Sequence, residues 1–138
     1  MIEKAILVAI LLASRAFDVP AHLIAAVIDQ ESCFNVHALG DKDEEGQPHS
    51  YGLMQLNLEG AGYGYLPDQL LDPYFNIMVG TEYLRACMNA FPNNLRLAIS
   101  AYNQGIGGAS EKGWGANRTY VLNVLNLMSK YENQLKVP

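Results

Sequence analysis

The segment from Pro20 to Glu31 constrains this chain more than any other, because its apolar stripe contains a carboxylate. Pro20-Ala-His-Leu-Ile-Ala-Ala-Val-Ile-Asp-Gln-Glu31 reads as a helix. At about 100° per residue, Ile24, Val27, Ile28 and Glu31 share one face, while Asp29 and Gln30 point elsewhere. A helix with such a face must be packed against others, and Glu31 is carried in with it. A carboxyl group among apolar side chains is destabilised on ionisation, so its pKa rises and it holds a proton near neutrality. That is the condition of a general acid. The same position also suits a structural Glu paired with a basic residue, and position alone leaves both open.

Helical patterns cover about 2–16, 20–34, 73–90, 94–103 and 117–132. Pro20 and Pro73 stand where helix starts accept proline, and Asp72 and Asn94 are suited to N-caps. The last pattern sets Val121, Val124, Leu125 and Met128 toward a core. Between the helices, 35–50 carries Asp41, Lys42, Asp43, Glu44 and Glu45 and reads as a solvated loop. The stretch 57–72 holds Gly60, Gly62, Gly64 and Pro67, an irregular loop whose Tyr63 and Tyr65 either line a groove or pack. Gly105-Ile-Gly-Gly108 lacks the preceding strand and following Lys of a phosphate loop.

A chain of 138 residues is expected to form one domain over 1–138, large enough for a single core. Half of it is apolar and 17% charged, a globular composition. A net charge of −5 offers no basic stripe for nucleic acid. It also disfavours electrostatic adhesion to an anionic surface. Cys33 and Cys87, both in helical patterns, read as buried thiols, and a single bridge between them is left open. His22, His37 and His49 do not cluster, so neither a metal nor another cofactor is expected. The apolar run Ala5–Ala13 is too short for a membrane span, and Met1-Ile-Glu-Lys before it lacks the net positive charge of a secretory leader. It is read as folded protein.

Three short motifs follow one another: Glu31-Ser32, Gly52-Leu-Met-Gln55 and Ala101-Tyr-Asn103. In this order they resemble the signature of the lytic transglycosylases and goose-type lysozymes. Leu71–Leu84 resembles that family's helix between the second and third motifs, and Thr119-Tyr120-Val121 its late Tyr-Val motif. The resemblance spans about residues 17 to 125. It implies a mainly α, lysozyme-like fold with a small β element near 50–56. It also implies a glycosidase acting on the glycan strands of bacterial peptidoglycan, at the periplasmic or extracellular side. A monomer is expected, without stable membrane insertion. A bacteriophage lysis or virion enzyme is the expected setting, with a bacterial enzyme that opens the wall for a secretion or conjugation machine as the next choice.

Glycoside cleavage normally uses two carboxyl groups, about 5–5.5 Å apart for retention or about 6.5–9.5 Å for inversion. Only Glu31 is an obvious candidate. The resemblance implies that this glutamate works twice. It protonates the oxygen between N-acetylmuramic acid and N-acetylglucosamine, then assists the muramoyl C6 hydroxyl to close a 1,6-anhydro ring. It further implies that Ser32 orients Glu31 or caps its helix. Gly52 would allow close backbone approach to substrate or serve a turn. Met54 would pack beneath the groove, and Gln55 would bind sugar amides and hydroxyls. Tyr102 and Asn103 would line the groove, although Asn103 could instead end its helix, and the Tyr120 hydroxyl would approach Glu31. Asp41 and Asp43 occupy the stretch where goose-type hydrolases carry water-positioning aspartates, so an inverting muramidase is the alternative. A peptidoglycan-binding relative without activity is the second.

Overall fold

The computed structural model describes residues 1–135, and it is mainly helical. Helix α1 (Lys4–Phe17) buries Ile6, Ala9, Ile10 and Ala13 and leaves Val8, Leu11 and Leu12 exposed. Its apolar run is thus a folded helix with one face in the core. Helix α2 (Ala21–Ser32) is buried continuously from Leu23 to Ile28, as the stripe required. It stops two residues short of the expected end because Cys33 takes a left-handed conformation, φ 51°, and its N–H closes on Asp29 O. Cys33 is therefore exposed, not a buried thiol; Cys87 is buried, and both are free.

The polar stretch after α2 is only partly loop. Strand β1 (Leu39–Gly40) pairs antiparallel with β2 (Ser50–Tyr51), which pairs antiparallel with β3 (Leu56–Asn57). The expected β element is present, extended by the strand at 39–40. Helix α3 (Pro67–Leu70) forms one turn inside the stretch expected to be irregular. Helix α4 (Pro73–Ala90) begins at Asp72, whose carboxylate accepts from Phe75 N at 2.8 Å. Helix α5 (Leu95–Gln104) begins at Asn94, whose amide oxygen accepts from Leu97 N at 3.1 Å. Both expected caps are made.

The glycine-rich stretch after α5 is helical too. Helix α6 (Ile106–Lys112) and a 3-10 turn (Trp114–Asn117) lead into α7 (Arg118–Gln134). Along α7, Val121 and Val124 are buried, while Leu125 and Met128 pack partly buried against the core. Helix α2 packs chiefly on α7, α1 on α4, and α5 on both α4 and α6. One hydrophobic core serves all of them. The sheet and the C-terminal ends of α2 and α5 meet over a cleft. Among the described residues, no helix is long and apolar enough to cross a membrane.

Candidate active site

The cleft has a volume of about 240 Å³. Glu31 comes to it from the end of α2, Asp41 and Ser50 from the first hairpin, and Gln55 and Asn57 from the second. Tyr83 is supplied by α4, and Tyr102, Asn103 and Gln104 by the end of α5. Glu31 is partly buried at the floor. Burial is the largest influence on its carboxyl group and pushes the pKa from its ordinary 4.5 up to about 7. A hydrogen bond from Tyr120 opposes this, and the negative charge of Asp41 adds to it. The Tyr120 hydroxyl donates to Glu31 Oε2 at 2.7 Å. Among the described residues no basic side chain pairs with Glu31. The structural alternative for this residue, a buried ion pair, is thus not formed among the described residues.

The Gly52–Gln55 turn is held from behind by a residue that the sequence reading passed over. Asn76 on α4 is fully buried, and its Oδ1 accepts from Met54 N at 2.8 Å. Its Nδ2 donates to Tyr51 O and Leu70 O, both at 2.8 Å. One side chain thus satisfies three backbone groups that would otherwise be buried without partners. Gly52 belongs to this packing. It has φ +78°, and an added Cβ would lie 2.5 Å from Asn76 Nδ2 and 2.9 Å from Leu70 O. Its positive φ is what the turn requires, and it is not among the residues lining the cleft.

Several other motif residues also work on the backbone. Ser32 Oγ lies 2.8 Å from Leu53 O and 3.0 Å from Ile28 O, so its hydroxyl ties the end of α2 to the turn. Met54 is fully buried beside Gly80, and its carbonyl accepts from the Tyr102 hydroxyl at 2.7 Å. The Tyr102 ring borders the cleft, but its polar group is committed inward. Gln55, with φ 51°, donates from Nε2 to Ala38 O and Gly52 O at 3.1 and 3.0 Å. Its amide nitrogen holds the turn, while the side chain lines the cleft. Asn103 is exposed, accepts from Asn117 Nδ2 at 2.9 Å, and does not end its helix, which runs on to Gln104.

The two aspartates separate. Asp41 lines the cleft, and its Oδ2 accepts from the Ser50 hydroxyl and from Asn57 Nδ2. Asp43 is exposed, does not line the cleft and pairs with His49 at 3.1 Å. His49, together with the backbone N–H groups of Gln47 and Glu45, holds its carboxyl below the ordinary range. Asp43 is thus a loop-shaping residue. Tyr63 and Tyr65 also lie outside the cleft: the first is 79% exposed, and the second packs edge-on against Phe75. Ser50, Asn57, Glu59, Tyr83 and Gln104 line it without having been singled out from sequence. No group of three or more potential metal ligands occurs among the described residues.

Chemically, the cleft offers one carboxyl group protonated near neutrality, a phenol that donates to it, and a second carboxylate fixed nearby. Such a set can give a proton to a leaving oxygen and take one back. The chain as a whole is similar to known proteins. The family model described as "Transglycosylase SLT domain" matches residues 9–119. The chain is 32% identical, over 127 residues, to membrane-bound lytic murein transglycosylase C of Mannheimia succiniciproducens, covering 84% of this chain and 35% of that protein. It superposes with a TM-score of 0.77 on an inactive glutamate-to-glutamine mutant of lytic transglycosylase Slt from Pseudomonas aeruginosa. Identity there is 26%, over 95% of this chain and 24% of that one. On the 70 kDa soluble lytic transglycosylase from Escherichia coli the TM-score is 0.70 at 30% identity, over 85% of this chain and 22% of that one. The chain therefore spans about a third of the curated relative and about a quarter of the solved ones.

Proposed function

The chain belongs to the transglycosylase SLT domain family, and from that premise we propose that it cleaves peptidoglycan glycan strands by lytic transglycosylation. One observation carries the reading. Glu31 lies in the cleft with its carboxyl pKa pushed up to about 7 by burial, and it has the Tyr120 hydroxyl 2.7 Å from Oε2. Protonated Glu31 donates to the oxygen linking N-acetylmuramic acid to N-acetylglucosamine as its bond to the anomeric carbon breaks. The carboxylate left behind is stabilised by the Tyr120 hydroxyl. Positive charge growing on the sugar is met by the negative Asp41, which Ser50 and Asn57 hold in place. Glu31 then takes the proton from the muramoyl C6 hydroxyl as that oxygen attacks the anomeric carbon. A 1,6-anhydro ring closes, no water is consumed, and Glu31 returns to its protonated form.

The remaining roles follow from the contacts. Ser32, Gly52, Met54 and Gln55 are positioning residues that set the turn opposite Glu31, and Tyr102 locks that turn to α5. Asn103 borders the sugar path. Action as a monomer on the murein layer is part of the same proposal. The inactive glutamate-to-glutamine relative supports giving the central role to a glutamate.

Hydrolysis is the second reading, favoured by the place of Asp41 in the same cleft. Mass spectrometry of fragments released from purified walls separates the two. Transglycosylation gives ends that are lighter by one water and resist borohydride. Reducible ends that incorporate oxygen-18 from solvent would overturn the mechanism. Absence of any released fragment would leave only a binding relative.

A further inference from the structure

We propose that Arg96, Arg118 and Trp114 form an anion subsite beside the cleft that takes the carboxylates of peptidoglycan stem peptides, an inference that rests on the peptidoglycan reading above. The guanidinium carbon of Arg118 stands 5.1 Å from the Trp114 ring centroid, and that of Arg96 stands 5.6 Å from it. Two like charges thus converge on one ring in a chain whose net charge is −5. Both arginines are exposed, and neither forms an ion pair among the described residues.

Their helix positions add to the same potential. Arg96 is the second residue of α5 and Arg118 the first of α7. Unpaired N–H groups and the macrodipole make a helix start electropositive, so a cation there is disfavoured and an anion favoured. Stacking on the indole holds the two planar groups in place. A guanidinium fork offers parallel N–H groups that match a carboxylate. An arrangement of unpaired cations that works against its own helix dipoles is relieved by a bound anion.

The location suits a branch of the glycan. Gln104, which lines the cleft, donates from Nε2 to the carbonyl of Gly113, the residue before Trp114, at 3.0 Å. Asn117, the residue before Arg118, donates to cleft-lining Asn103 at 2.9 Å. The segment from Gly113 to Arg118 therefore borders one end of the cleft. An extended peptide spans about 3.3–3.6 Å per residue, so a stem of about four residues attached to a muramic acid in the cleft reaches roughly 13 Å outward.

Trp114 is the only tryptophan, so its fluorescence reports this subsite alone. The protein is titrated with the free acidic tetrapeptide stem, with the same peptide fully amidated, and with inorganic phosphate. The acidic peptide is expected to give a saturable change in Trp114 emission, weakened at least tenfold in the double variant R96Q/R118Q, with no such change from the amidated peptide. Equal binding of the amidated peptide overturns the proposal without recourse to any variant. So does undiminished binding by R96Q/R118Q, or phosphate binding as tight as that of the stem. Since the titration requires no catalysis, stem binding by a protein that releases nothing from walls refutes the enzymatic reading and leaves the subsite standing.

Discussion

Replacing Glu31 by Gln should make the protein more stable, and the gain should depend on pH. The side chain keeps its size and can still accept from Tyr120, so packing changes little. What the variant loses is a carboxyl group whose ionisation is opposed by its surroundings. Its pKa stands at about 7 in the fold against an ordinary 4.5. That difference makes the ionised form costlier in the fold by on the order of 3 kcal/mol. Between these pH values the folded state binds more protons than the unfolded one, so the stability contribution of Glu31 is full below 4.5 and is lost as pH rises through about 7. Urea denaturation of both proteins at pH 4 and pH 8.5 measures this, because other carboxylates cancel in the comparison. The two should be nearly equal at pH 4, and the variant should lead by on the order of 3 kcal/mol at pH 8.5, roughly 10 °C in Tm for a chain of this size. Wall lysis by the same variant should be abolished, since an amide supplies no catalytic proton. A stability difference that is the same at both pH values would refute the argument from burial. A variant keeping a tenth of wild-type lysis would refute the catalytic role.

The pH–rate profile offers a paired test. Activity should fall above about 7 as Glu31 loses its proton; Tyr120→Phe removes a lowering influence and should move that limb upward while reducing kcat, whereas Asp41→Asn removes a raising influence and should move it downward. Asp43→Asn should leave the limb in place, because Asp43 lies outside the cleft. Gly52→Ala should cost about 2 kcal/mol or more in denaturant unfolding, from its positive φ and the clash with Asn76 and Leu70. Tyr102→Phe should cost about 1–3 kcal/mol by leaving the buried Met54 carbonyl unpaired, with only a several-fold loss in lysis; loss as complete as that of Glu31→Gln would place its hydroxyl on the substrate instead.

The helix bearing Glu31 was legible because a 3.6-residue period and an out-of-place carboxylate are both local signals. The caps at Asp72 and Asn94 were legible for the same reason. Assembly was not. Asn76 reads from sequence as one more polar residue inside α4, and nothing nearby announces that three backbone groups from 51, 54 and 70 end on it. Ser50, Asn57 and Tyr83 reach the cleft only through the sheet register and the packing of α4, which no single-segment pattern encodes. Helix α6 was missed because glycines at 107 and 108 mask helical propensity, although its packing on α5 supplies the stability that the sequence lacks. Cys33 was misplaced by one conformational choice, the left-handed residue that ends α2. Gln55 and Tyr102 belong to the family motifs, yet their hydrogen bonds go to backbone carbonyls around the turn, a partnership that no motif announces.

The three hydrogen bonds of Asn76 also set when the site exists at all. The turn opposite Glu31 has no regular structure of its own, and the strands beside it are two residues long. Its shape is imposed by an amide group that arrives with α4, so the hairpin region has nothing to fold onto until that helix has docked. The Met54 amide, bonded to Asn76 in the core, should accordingly exchange with deuterium only through near-global opening, while the exposed acidic stretch at 41–47 exchanges faster, through local opening. The catalytic face would then be as cooperative as the core beneath it, appearing and vanishing with the whole domain.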